Sequence, residues 1–99
     1  MLDRLTVADF APHVGKTFEI ETGETRVAAE LAWARNVGEE PPSESGRRRA
    51  FSIALRTAPD VRLSQRIHAV QHPALGRLEI FLVPVQPDAR GNLYEAIFN

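Results

Sequence analysis

The sequence predicts a mainly β fold: an antiparallel meander of about six strands that rolls into a small barrel or sandwich, with a short N-terminal helix. Three observations predict it. Apolar residues repeat with a period of two in short runs. Those runs recur at roughly ten-residue spacing, and the residues between them are the Pro, Gly, Asn and Asp of tight turns. The 99 residues fit one domain, with enough chain for a single core but not for a core plus a deep substrate cavity and a lid.

The opening LTVADF carries a helix start. Thr6 is the N-cap, Asp9 returns the capping bond three residues on, and Leu5 is placed to pack on Phe10. Pro12 disfavours helix at Ala11, so this segment is one or two turns long, closed by Gly15. KTFEIET sets Phe18 and Ile20 against Thr17, Glu19 and Glu21, a half-buried strand. RVAAELAWARNV is ambiguous by propensity, since its alanines, Glu30 and Leu31 favour helix. Context decides for a strand: Gly23 stands before it as a hairpin connector, and Val27, Ala29, Leu31, Trp33 and Val37 line one face broken only by Arg35.

Residues 38–49, GEEPPSESGRRR, offer nothing apolar to bury and read as a mobile loop. AFSIALRT alternates Phe51, Ile53 and Leu55 inward against Ser52, Ala54 and Arg56 outward. QRIHAVQH puts Ile67 and Ala69 on one side and His68 and Val70 on the other. PALG turns the chain into LEIFLVPV, and QPDARGN turns it into the last strand, LYEAIF.

LEIFLVPV is the strand that carries most about function, because both of its faces are apolar. Leu78, Ile80 and Leu82 point one way, and Phe81, Val83 and Val85 the other. A small barrel buries one face of each strand, so the second face needs a cover. Leu2, Leu5, Phe10 and Val14 of the N-terminal segment can cover part of it. The remainder, with Tyr94 and Phe98 from the last strand, is expected to stay as an apolar patch, and such patches mark association sites. Trp33, flanked by Ala32 and Ala34, is read as a core or interface anchor.

Composition excludes several classes. A hydrophobic fraction of 43%, a charged fraction of 25% and a net charge of -1 point away from disordered and polyanion-binding proteins. The absence of cysteine removes disulfides, thiolate nucleophiles and thiolate metal sites. No run approaches the ~18 apolar residues of a membrane span, and MLDRLTVADFAP is no secretory signal, so the expected address is cytoplasmic.

Catalytic constellations are weak. His68 and His72 have helical metal-pair spacing, but on a strand they stand about 13 Å apart and read as polar outward-facing and turn residues. Glu79 and Glu95 could face each other across neighbouring strands, yet two such acids are more often solvated than catalytic. Ser43, Ser45, Ser52 and Ser64 lack a nucleophile elbow, and the scattered glycines form no phosphate loop. The one basic cluster, Arg47, Arg48 and Arg49, is a weak anion contact without an aromatic platform and beside Glu39, Glu40 and Glu44, which makes nucleic acid a poor partner.

The segment HPALGRLEIFLVPVQPDARGNLYEAIFN, with the opening LTVADFAPHVGKTFEI, resembles a family of small bacterial domains of unassigned function and about this length. Some members are encoded beside collar-type proteins of phage tails or tail-like particles. The resemblance implies a stand-alone β-rich domain with a structural or accessory role and supplies no catalytic residues.

The expected function is therefore a non-enzymatic interaction or assembly module without cofactor, metal or membrane. It would join a homo-oligomer or a protein partner through an apolar sheet face or edge. The alternative is a small-ligand-binding barrel with Trp33, Tyr94 and the loop arginines at its mouth. A metal or acid-base enzyme around His68, His72 and Glu79 is a distant third.

Overall fold

Six alternating runs close on one another in a wall. The computed structural model describes residues 2–99 as an antiparallel barrel with strand order β1-β2-β3-β6-β5-β4. Its strands are β1 (Thr17–Thr22), β2 (Thr25–Asn36), β3 (Phe51–Thr57), β4 (Arg66–His72), β5 (Gly76–Asp88) and β6 (Gly91–Phe98). The meander comes in two halves, β1-β2-β3 and β4-β5-β6. Residues 58–65 carry the chain past β6, so that β6 sits between β3 and β5. The closing seam is short: β1 and β4 pair through Glu19↔Gln71 and Ile20↔Val70 alone.

The interior is filled by the inward residues of every strand, among them Phe18, Ile20, Leu31, Ile53, Leu55 and Leu82, each 0–1% exposed. Helix α1 (Val7–Phe10) plugs one end. Its Phe10 is fully buried, 5.8 Å from the Phe51 ring and 5.7 Å from Phe98, and those two rings stack at 4.6 Å with 4° between their planes. The N-terminal segment was expected on the outer face of β5. Phe10 is buried inside the barrel mouth instead, with Leu2 and Leu5 packed against the core, because an open end exposes the side chains of several strands at once; Leu2 alone also lines the groove beside Phe81, and Val14 is 44% exposed.

Residues 58–65 close the opposite end. Leu63 packs on the core, and its N–H donates to the Tyr94 hydroxyl at 2.9 Å. Asn92 Nδ2 donates to the carbonyls of Val61 (2.6 Å) and Pro59 (3.1 Å).

Strand β2 departs from the single apolar face that its alternation suggests. The pairing runs Leu31↔Leu55 and then Trp33↔Ala54, so a β-bulge inserts Ala32 and reverses the phase. Ala29 and Leu31 point inward. Beyond the bulge Ala34 packs on the core, while Trp33 and Arg35 lie on the outside of the wall.

The strand covered on both faces is β3, not β5. Outward-facing Ser52 and Ala54 are 0% exposed because Trp33 lies over them, and Trp33 Nε1 donates to Ser52 Oγ at 2.9 Å.

Candidate functional site

The outer wall of β4, β5 and β6 is the feature that the core does not account for. Antiparallel register sets Ile67 of β4 directly opposite Phe81 of β5, and Phe81 and Ile97 of β6 line the same groove. These three side chains are 62%, 50% and 52% exposed, in a row across adjacent strands. Val83 and Val85 continue the apolar surface along β5, both half-buried.

Charged groups bracket this surface and pair among themselves. Towards α1, the Gln71 amide and Arg77 Nε (3.1 Å) both donate to Glu21 Oε2, and Arg77 also meets Glu79 at 3.2 Å. The Gln71 and Arg77 bonds hold the Glu21 carboxyl below its usual range and clasp the short β1–β4 seam. Towards the other end, Arg56 makes a two-oxygen contact with Asp88 (2.6 Å at its closest) and reaches Glu30 at 3.0 Å, which Arg90 joins at 2.9 Å. The Arg56 guanidinium, followed by the Arg90 and Gly91 N–H groups, lowers Asp88 to about 2.

Other predicted residues lie elsewhere, and several expectations need correcting. Tyr94 and Phe98, expected on the apolar face, are 3% and 6% exposed and belong to the core: their alternation follows Ala96 inward, not Glu95 and Ile97 outward. Trp33 does stand on the outer wall, half-buried, with the Arg35 guanidinium 4.1 Å above its ring.

Of the three arginines, Arg48 is a clamp and not a free anion contact. Its Nη1 donates to the Leu2 and Leu5 carbonyls, and its Nε to the Asn99 carbonyl at 3.0 Å. Arg49 Nη2 donates to the Gly38 carbonyl at 3.0 Å, and Arg47 remains exposed. The Arg48 and Arg49 guanidiniums both hold backbone, which a basic run does not announce in sequence.

The histidines do not converge. His68, expected to face outward, is 4% exposed inside the barrel, where Nε2 meets the Ser64 carbonyl at 2.8 Å and Nδ1 has no partner. His72 stands near the other end against His13 (ring centroids 4.4 Å apart) and Phe18 (4.5 Å). Burial, and then the neighbouring His13, push its pKa down. The Ala74 N–H donates to His72 Nδ1 at 3.0 Å, so the lone pair a metal would use there is already engaged.

Glu95 pairs with Val83 and Ala54 in the ladder, and its carboxylate accepts from Ser52 Oγ at 2.7 Å, so it does not face Glu79. Among the described residues no three His, Asp or Glu side chains come together as a metal site, and no helix is long and apolar enough to cross a membrane.

Residues 5–98 match the domain of unknown function DUF6916, and the chain belongs to that family. No curated protein and no solved structure matches it.

Proposed function

We propose that this domain is a non-enzymatic association module, and that the outer wall of β4, β5 and β6 receives a protein surface. The observation that carries the reading is the row Ile67, Phe81 and Ile97, three large apolar side chains at least half exposed beside one another. Scattered exposed hydrophobics are ordinary, whereas a contiguous row between self-paired charges is the composition of an interface core. Covering the exposed half of each would contribute about 1 kcal/mol per side chain.

The barrel-mouth ligand reading lacks this support, because the interior is occupied by Phe and Leu side chains and both ends are closed. The resemblance to domains encoded beside collar-type tail proteins directs the search for a partner to tail-like particles.

The test compares wild type with a Phe81→Ser, Ile97→Ser double variant, both as bait for co-expressed proteins and in sedimentation of the pure domain. A partner or an oligomer held by the wild type and lost by a folded double variant is the expected result. Equal behaviour of the two proteins overturns the reading.

A further inference from the structure

We propose that the contact between His13 and His72 is an acid-sensitive latch on the β1–β4 seam, shut while both imidazoles are neutral and released as they take up protons. His13 ends the 3-10 turn Ala11–His13 that follows α1, and His72 ends β4. Their ring centroids are 4.4 Å apart, and the Phe18 ring of β1 lies 4.5 Å from His72. Both histidines are partly buried.

One side of this contact is anchored, and the other borders the weakest junction of the wall. The His13 carbonyl accepts from the Lys16 N–H at 2.9 Å, while the Gly15 N–H (2.8 Å) and the Lys16 carbonyl (3.0 Å) bond Leu31 of β2. Strand β4 meets β1 through Glu19↔Gln71 and Ile20↔Val70 alone, helped by the bonds of Gln71 and Arg77 to Glu21. The flanking junctions β1–β2 and β4–β5 pair over six and seven positions. A force between the two rings is therefore relieved by opening the seam.

Protonation acts twice at this place. Neutral His72 accepts the Ala74 N–H on Nδ1 at 3.0 Å. A protonated ring carries hydrogen on both nitrogens and cannot accept, so the turn after β4 loses that bond. Two imidazolium rings in contact also repel, the more so where burial has removed water.

The other charged groups around His72 are already paired. Glu19 of β1 and Arg77 of β5 share with it a hollow of about 420 Å³. Glu19 meets Arg26 at 3.2 Å, and Arg77 meets Glu21 at 3.1 Å and Glu79 at 3.2 Å. That leaves the imidazoles as the side chains whose ordinary charge change falls between pH 5 and 8. Burial and then His13 push the His72 pKa down, so the unfolded chain takes the proton more readily than the folded one. The latch's contribution is whole above about pH 6.5, the ordinary histidine value, and is lost as pH falls through the lower value of folded His72.

The test is amide exchange by NMR, expressed as protection factors at pH 7 and pH 5, on wild type and on His72→Asn. Asparagine can accept the Ala74 N–H on its side-chain oxygen but does not titrate. In wild type, protection at Glu19, Ile20, Val70 and Gln71 is expected to fall at least fivefold at pH 5, with β3 changing less than twofold. In His72→Asn the seam should change less than twofold. Equal seam protection at the two pH values in wild type overturns the latch, and so does a loss that survives in His72→Asn, which would assign it to His68 beside Ser64 or to the carboxylates. If His72→Asn does not fold, the wild-type titration decides: seam amide shifts must share the midpoint of the His72 ring carbons, and a different midpoint overturns the proposal.

Discussion

Trp33 donates its indole N–H to the Ser52 hydroxyl from outside the barrel at 2.9 Å, and Ser52 in turn donates to Glu95 Oε2 at 2.7 Å. Three strands are thereby tied across the outer surface, and the central one, β3, loses all contact with water at Ser52 and Ala54. Trp33→Ala is expected to destabilise the domain by about 2–4 kcal/mol, at or below the usual cost of a fully buried aromatic because the side chain is only partly buried. Trp33→Phe keeps most of the cover and loses the hydrogen bond, for about 1 kcal/mol. Urea midpoints of the two variants, measured against wild type, check both the size and the order.

Phe81 and Phe18 offer the same side chain on the two sides of the wall, 50% and 1% exposed. Phe18→Ala is expected to cost about 3–5 kcal/mol, which lowers the melting temperature of a domain this size by more than ten degrees. Phe81→Ser should stay within about 1 kcal/mol of wild type, since its own side chain is already half in water. Thermal unfolding of the pair separates folding from association. A Phe81 variant that unfolds as badly as the Phe18 variant would place Phe81 in the core.

Arg48 links two stretches distant in sequence through three carbonyls: those of Leu2 and Leu5 at the start of the chain, and that of Asn99. A lysine has one ammonium where the guanidinium has a planar fork, so Arg48→Lys cannot bond all three. The expected loss is about 1.5–3 kcal/mol. It should be accompanied by faster amide exchange in α1 than in β3, because the plug loosens before the wall. Exchange that accelerates uniformly would show that Arg48 serves the whole barrel rather than the plug.

These variants also mark where the sequence is legible. Strand existence and the barrel could be read from Phe51, Ile53 and Leu55 and from the turns, because period-two alternation is a local signal. The phase reversal in β2 could not: Ala32 is inserted by a bulge, and the odd-numbered face from Val27 to Val37 looks continuous on paper. For the same reason the cover that Trp33 gives to the outer face of β3, at Ser52 and Ala54, has no signal in the sequence. The destination of Phe10 and the backbone partners of Arg48 depend on contacts some 40 or more residues away, which no periodicity encodes. Tyr94 and Phe98 failed as surface residues because either face of LYEAIF supplies apolar groups, and only the closed wall chooses between them.

Gly91 opens β6 where the backbone passes Thr57, and a Cβ built there lies 1.9 Å from the Thr57 carbonyl oxygen. Gly91→Ala must displace backbone, not a flexible side chain, so a cost of about 1–3 kcal/mol or more is expected. Gly23 sets the opposite case: open space but φ +64°, so alanine there meets only left-handed strain, about 1–2 kcal/mol. Denaturation of the two variants should rank Gly91→Ala at least as damaging as Gly23→Ala, with the Asn92 contacts to Pro59 and Val61 disturbed in the first alone.

Asp88 connects acid stability to the turn that joins β5 and β6. Its carboxylate accepts from Arg56 Nε (3.0 Å) and Nη2 (2.6 Å) and from the Arg90 and Gly91 N–H groups at 2.9 and 3.1 Å. The Arg56 contact is the main reason that its pKa falls to about 2. Because the folded value lies below the unfolded value of about 3.9, the unfolded chain binds more protons between the two, and stability must fall as pH drops through that window. The contribution is fully present above about pH 4 and gone below about pH 2. Glu21, lowered by Gln71 and then Arg77, adds loss of the same sign below the ordinary glutamate range. Asp88→Asn is therefore expected to reduce the urea midpoint at pH 6, and the gap to wild type should close as pH approaches 2. Since the pair is partly exposed, 1 M salt should narrow the gap at pH 6. A gap that persists unchanged at pH 2 would mean that Asp88 acts by shape and not by charge.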